Sequence, residues 1–285
     1  MCRCFATWRI NEERVREIAE GFAQAEDFVF ECELLDPQMK AVEDIVRRLG
    51  ANNGAAYVVG VALVSYMLSA RGERHWFLAA KFAGMDIGES LLRFVRESPS
   101  LARFRIARKR RTRRYLVFFV PRFLERFEAY ASDLRSLWVD LARAVGAKPQ
   151  AKTVVFAVKM FYYSLRAAGF KVQGLSYEIP IPVDFRVSLM SLTSGLVTGG
   201  AADFRSEAKL LRERGANLVR RGWSLVSEFS SMPALNMDAV LWLVGGAVDR
   251  SNFSRKRVFL ELEKVVGRSL EEHEKSLVEE LIWRL

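Results

Sequence analysis

Apolar residues recur at three- and four-residue spacing through residues 11–26, 38–49, 54–70, 87–97, 123–144, 152–168, 186–197, 205–229, 236–248 and 269–284, and alternating strand patterns are scarce. A repeat near 3.6 places such residues on one face of a helix, so the pattern predicts an almost wholly helical chain. Of the 285 residues, 51% are hydrophobic and 27% charged, which supports a packed core and excludes disordered, collagen-like and low-complexity architectures. The sharpest break is Glu178-Ile179-Pro180-Ile181-Pro182-Val183-Asp184. Two prolines hold that backbone extended, and Asp184 stands where the N-cap of the next helix belongs. A second break, Val145-Gly146-Ala147-Lys148-Pro149-Gln150, reads as a short hairpin between two helices. No repeat or long linker interrupts the chain, which is expected to form one unit, single or two-lobed.

Composition removes several function classes. The three cysteines, Cys2, Cys4 and Cys32, are too few and too clustered for a disulfide framework or an iron–sulfur cluster. Only His75 and His273 are present, so neither a His-rich metal site nor a serine triad is expected, and Cys2 and Cys4 read as a frayed terminus rather than a metal site. Chemistry is left to Lys, Asp or Glu. The net charge of +10 favours a polyanionic partner, either nucleic acid or an acidic membrane surface. The charged first thirty residues do not read as a secretory signal. Ala51–Ala70 is uncharged and of bilayer length, but its asparagines and serines fit a helix buried in a protein core better than a membrane span.

Arg103–Arg114 carries eight cations in twelve positions. It reads either as a nucleic-acid footprint or as the wet face of a helix that turns Phe104 and Ile106 inward. In the helix opening at residue 152, Lys152, Phe156, Lys159 and Tyr163 share one stripe. Taken alone, that stripe reads as a solvent-facing edge where lysine stems lie over aromatic rings. Asp238 and Trp242 pair in the same way on an otherwise apolar helix. A buried acid there needs a partner, which a helix cap or a salt bridge supplies.

Five blocks then occur in order: DPQMKAV (36–42), RGERHW (71–76), AKTVVFAVK (151–159), IPIPVDFRV (179–187) and LNMDAVLWLVGGAV (235–248). Together with the hairpin before Lys152, they resemble the helix-hairpin-helix DNA glycosylases, and more narrowly the archaeal 8-oxoguanine DNA glycosylase/AP lyase family, AGOG. The resemblance covers residues 36–248. It implies an all-α, two-lobed helix-hairpin-helix (HhH-GPD) domain over 1–285, with the hairpin and Pro-Val-Asp region at 132–187 and the active site in the cleft between lobes. It further implies that Lys152 is the nucleophile and Asp184 its carboxylate partner. Phe156 and Trp242 would sandwich a flipped base, and Gln38, Trp76, Lys159, Pro182 and Asp238 would line the pocket. Arg108, Arg111, Gly146 and Lys148 are the expected backbone contacts. Two departures stand out: Gly-Ala-Lys-Pro-Gln-Ala replaces the usual Leu-Pro-Gly-Val-Gly hairpin, and the interval from Lys152 to Asp184 is longer than in the wider superfamily.

The implied chemistry needs these residue types. A base inside a duplex is unreachable until it is rotated out and held between flat surfaces. A nucleophilic lysine must be neutral, a state favoured by burial or by a neighbouring cation, here Lys159. The expected partner is single- or double-stranded DNA carrying oxidised guanine, acted on by a cytoplasmic, nucleoid-associated monomer without metal or cofactor. The alternatives are the same mechanism on another lesion, a non-catalytic helical DNA-binding protein, or an amphipathic protein on anionic membranes.

Overall fold

The computed structural model describes residues 8–172, 175–200 and 203–285, and Cys2 and Cys4 lie outside them. The helices run α1 (Glu12–Gln24), α2 (Glu26–Leu35), α3 (Pro37–Leu49), α4 (Ala51–Leu63), α5 (Gly72–Phe82), α6 (Ile87–Glu97), α7 (Arg105–Phe118), α8 (Val120–Glu125) and α9 (Phe127–Ser132). They continue through α10 (Leu134–Val145), α11 (Lys152–Ala167), α12 (Phe185–Thr193), α13 (Phe204–Arg214), α14 (Ala216–Ser230), α15 (Ala234–Arg250), α16 (Arg255–Val266) and α17 (Glu272–Leu281). Among the described residues, β structure is confined to β1 (Arg9–Ile10) and β2 (Val197–Thr198), which pair antiparallel with Arg9 opposite Thr198. The chain divides into two compact units, one of Met1–Leu35 with Pro180–Leu285 and the other of Asp36–Ile179.

The first unit packs α1 against α14 and α17, and α15 against α2, α12 and α16. Trp223 anchors its core: the ring meets Phe22 edge to face at 6.3 Å, and the indole N–H donates to Ser191 Oγ at 2.9 Å. The polar tip of the tryptophan is thus satisfied where its body is fully buried. The long helix expected over 205–229 breaks at Gly215, whose backbone passes so close to Leu211 that an added Cβ would lie 2.5 Å from its side chain.

In the second unit the uncharged run becomes α4, buried along nearly its whole length and packed against α3 and α11. Gly54 lets it approach the backbone of α3, since an added Cβ would sit 2.9 Å from Val46 Cα. The expected helix 54–70 stops at Leu63. Two arginines of the basic run meet its orphaned carbonyls: Arg111 donates to Leu63 O and Arg108 to Val64 O, each at 3.1 Å. Cations and donors at a helix C-terminus satisfy groups that have no partner within the helix. Among the described residues, no single helix is long and apolar enough to cross a membrane.

Two further expectations are corrected here. Residues 123–144 form three short helices rather than one, because Asp133 caps a new start by accepting from Arg135 N and Ser136 N. On α7 it is Arg108, Thr112 and Tyr115 that turn inward, while Phe104 and Ile106 face solvent.

His75 sits at the base of this arrangement, its two ring nitrogens 2.8 Å from Ser65 Oγ and Ser100 Oγ. Burial, reinforced by the charge of Arg108, pushes its pKa down from 6.5 to about 3. The unfolded chain therefore binds a proton that the folded chain refuses, so stability falls as pH drops from 6.5 toward 3. We expect this one residue to cost about 2 kcal/mol between pH 7 and pH 5, read as a lower urea midpoint. In His75→Gln that share of the pH slope should vanish, and an unchanged slope would contradict the assignment.

Candidate active site

The expected residues divide between the two units, nine in the second and four in the first. In the second unit, α10 ends at Val145, and Gly146 turns the chain in the left-handed region at φ +64°. Ala147 N donates back to Ala142 O at 3.0 Å, and Trp138 Nε1 holds Pro149 O at 2.8 Å. This short, pinned hairpin delivers Lys152 to the first position of α11. The neighbouring Thr153 hydroxyl accepts from Arg111 at 3.0 Å. Gly146 and Lys148 are exposed on the hairpin.

The stripe on α11 is not a solvent edge. Lys152 and Phe156 are half-buried, whereas Lys159 and Tyr163 are fully buried. Lys152 Nζ lies 6.0 Å from the Phe156 ring centroid, and Phe156 meets the edge of the buried Trp76 at 6.1 Å. Lys159 stands 5.1 Å over the Tyr163 ring and pairs with Asp36 at 3.7 Å. Because that charge has a carboxylate beside it, Lys159 is not the bare neighbouring cation that the stripe suggested.

Asp36, which the sequence reading left without a role, organises this end of the site. Fully buried, it caps α3 by accepting from Gln38 N at 2.9 Å. Its other oxygen accepts from Gln38 Nε2 at 3.3 Å and from Tyr163 Oη at 3.1 Å. One carboxylate thus sets the amide of Gln38, the phenol of Tyr163 and the ammonium of Lys159. The available signal was Asp-Pro at a helix start, which announces the cap but not its distant partners.

In the first unit, Asp184 caps α12 as its position predicts, accepting from Val187 N at 3.0 Å, and Pro182 is buried just before it. Asp238 is buried one turn inside α15, so it is not the cap of that helix. Trp242 follows on the same face and is half-buried. One face of its indole is covered by the guanidinium of Arg186, 3.7 Å from the ring centroid, which also donates to Trp242 O at 3.2 Å. Gly245 and Gly246 make the room: added Cβ atoms would meet Arg186 at 3.2 and 3.4 Å. Both the glycine pair and Arg186 lie in the blocks recognised in the sequence, yet no local pattern announces their contact.

Of the expected backbone contacts, Arg108 is corrected. Its side chain is fully buried and donates to the carbonyls of Val64, Tyr66, Leu101 and Arg103, so the guanidinium is an internal brace. Arg111 is half-buried, held by Leu63 O and Thr153.

Comparison with known proteins shows the family and the fold. Residues 19–279 match the AGOG family of N-glycosylase/DNA lyases. An N-glycosylase/DNA lyase of Aeropyrum pernix is 34% identical over 260 residues, covering 84% of this chain and 85% of the relative. One from Pyrobaculum aerophilum is 32% identical over 224 residues, covering 77% and 81%. The crystal structure of the 8-oxoguanosine-complexed 8-oxoguanine DNA glycosylase from P. aerophilum superposes with a TM-score of 0.72 at 28% identity, covering 89% of this chain and 97% of that one. That likeness establishes the all-α helix-hairpin-helix glycosylase fold. The chain belongs to the AGOG family of N-glycosylase/DNA lyases.

Proposed function

We propose that the chain excises 8-oxoguanine from DNA through a Schiff base on Lys152 and then cleaves the strand by β-elimination. The observation that carries this reading is the amine of Lys152, delivered by a pinned hairpin to the first turn of α11 above the ring of Phe156. In the proposed reaction Nζ attacks the deoxyribose C1′, the N-glycosidic bond breaks and the base departs. Loss of an amine proton and opening of the sugar ring give an imine between Nζ and C1′. The imine acidifies C2′; loss of that proton breaks the bond from C3′ to its phosphate oxygen. Asp184 stabilises the cationic character that develops at the sugar and relays the amine proton.

Phe156 and Trp242 each offer an aromatic face to the base, worth on the order of 1–3 kcal/mol per stacked base. Arg186 behind Trp242 supports this role by holding the indole plane. For selectivity, 8-oxoguanine carries an N7–H donor where guanine carries an acceptor. Gln38 suits that difference: its amide nitrogen donates to Asp36, so its carbonyl oxygen is the end that accepts. Trp76, Lys159, Pro182 and Asp238 complete the proposed base contacts, and Gly146 and Lys148 the phosphate contacts.

A panel of otherwise identical duplexes tests the substrate. Release of 8-oxoguanine is expected to exceed release of guanine by on the order of 100-fold, the upper end of the roughly 1–3 kcal/mol cost of leaving a buried hydrogen-bonding group unpaired. Faster excision of another altered base would overturn the substrate assignment.

A further inference from the structure

Trp242 lies on α15 and Arg186 in the first turn of α12, two helices packed against each other within the first unit. The guanidinium carbon is 3.7 Å from the indole centroid, which is van der Waals contact, whereas Arg14 stands 4.6 Å over Trp283 and Arg108 4.7 Å over Tyr66. Three features hold it there. Nη1 donates to Trp242 O at 3.2 Å, which ties the cation to the residue whose ring it covers. Gly245 and Gly246 leave it space, since added Cβ atoms would crowd the Arg186 side chain at 3.2 and 3.4 Å. Asp184 sets the start of α12 two residues earlier by accepting from Val187 N. The helix itself does not reward this cation: its first turn is the positive end of the dipole, where an acid is favoured and an arginine is not. Nor does covering an indole require a charge, because methionine would shield the ring without one. What arginine adds is a positive charge held against the face of the ring.

We propose that Arg186 is a positioning residue that sets base preference through Trp242: its charge draws electron density from the indole and makes the opposite face a better platform for an electron-rich purine. This rests on the reading that Trp242 stacks on the excised base. An aromatic face carries negative potential, so two electron-rich rings laid face to face repel. A cation behind one ring relieves that repulsion, and the relief grows with the electron density of the partner. Guanine is the most electron-rich of the four bases, and an oxygen at C8 with a protonated N7 makes the oxidised form richer still. Discrimination then arises at a surface that makes no hydrogen bond to the base. Gln38 would read the N7–H, and Arg186, through the indole, the electron content of the ring. A lipid tail has no π density for such a platform to attract.

The test uses the full chain, Arg186→Met, which covers the indole without charge, and Arg186→Lys, which keeps a cation. Equilibrium binding is measured for 8-oxoguanosine and 8-oxoinosine, which share the N7–H and the C8 oxygen and differ in the electron-donating 2-amino group. Arg186→Met is expected to bind 8-oxoguanosine roughly three- to tenfold more weakly than wild type, within the range that a cation–π contact spans. It should lose less for 8-oxoinosine, so the ratio of the two affinities shrinks, and Arg186→Lys should restore most of that ratio. Equal losses for both nucleosides, no loss at all, or a lysine variant no better than methionine would overturn the proposal, because the arginine would then serve packing alone. Borohydride trapping on a duplex with an abasic site, which offers no base to hold, should be the same in all three proteins. Its loss in the variants would tie Arg186 to the chemistry at Asp184 or to folding, and would also overturn the proposal. Wild type that traps abasic DNA but binds neither nucleoside would refute Trp242 as the platform for the base, and the proposal with it. Failure of wild type to trap bears instead on the lysine mechanism, since nucleoside binding still decides the role of Arg186.

Discussion

Replacing Asp36 by alanine is expected to destabilise the chain by roughly 3–5 kcal/mol, the range measured when one partner of a buried ion pair is removed. The carboxylate is fully buried beside Lys159 at 3.7 Å and accepts from Gln38 and Tyr163 as well. Truncation takes the counter-charge from a buried ammonium, the acceptor from a buried phenol and the N-cap from α3. The cap alone is worth about 1 kcal/mol. Asp36→Asn keeps the volume and the capping oxygen, so it should cost distinctly less and separate the charge from the cap. Urea denaturation at pH 7 reads both. A loss below about 1 kcal/mol for Asp36→Ala would mean that Asp36 is not the organising group of this end of the site. The same variant tests function independently of folding: where the protein is still folded, release of 8-oxoguanine should fall more than binding of undamaged duplex, because Gln38 and Lys159 lose their common reference point.

What the sequence made legible was local chemistry. Asp184 as a cap, the extended Pro180–Pro182 segment and the hairpin ahead of Lys152 each follow from residues within a few positions of one another, and each stands in the structure as read. Long-range partners were not legible. Asp36 and Tyr163 meet across 127 positions, and nothing in either neighbourhood names the other. The stripe on α11 looked like a wet edge because lysine is usually exposed; tertiary packing buried Lys159 and provided its carboxylate. The basic run misled for the converse reason. Solvation explains most of its cations, yet Arg108 is an internal brace, and the apolar Phe104 and Ile106 lie outside. The helix α2 escaped detection because EDFVFECELL shows no clean polar face, and α16 because it buries little beyond Val258 and Leu262.

Lys152→Gln is expected to bind lesion-bearing duplex within a few-fold of wild type while turnover falls on the order of 10⁴-fold or more, as loss of an attacking group does. Glutamine preserves the length and polarity of the stem over Phe156 but has no lone pair able to form an imine. In the proposed mode binding rests on other cations and on aromatic faces that the substitution leaves alone, so affinity and turnover should separate. The most direct measurement is reduction of the working enzyme–DNA mixture with borohydride, followed by mass-spectrometric mapping of the modified peptide. A reduced sugar remnant is expected on Lys152 in the wild type and no adduct in Lys152→Gln. A remnant mapped to any other lysine, or equal trapping by the variant, would contradict it.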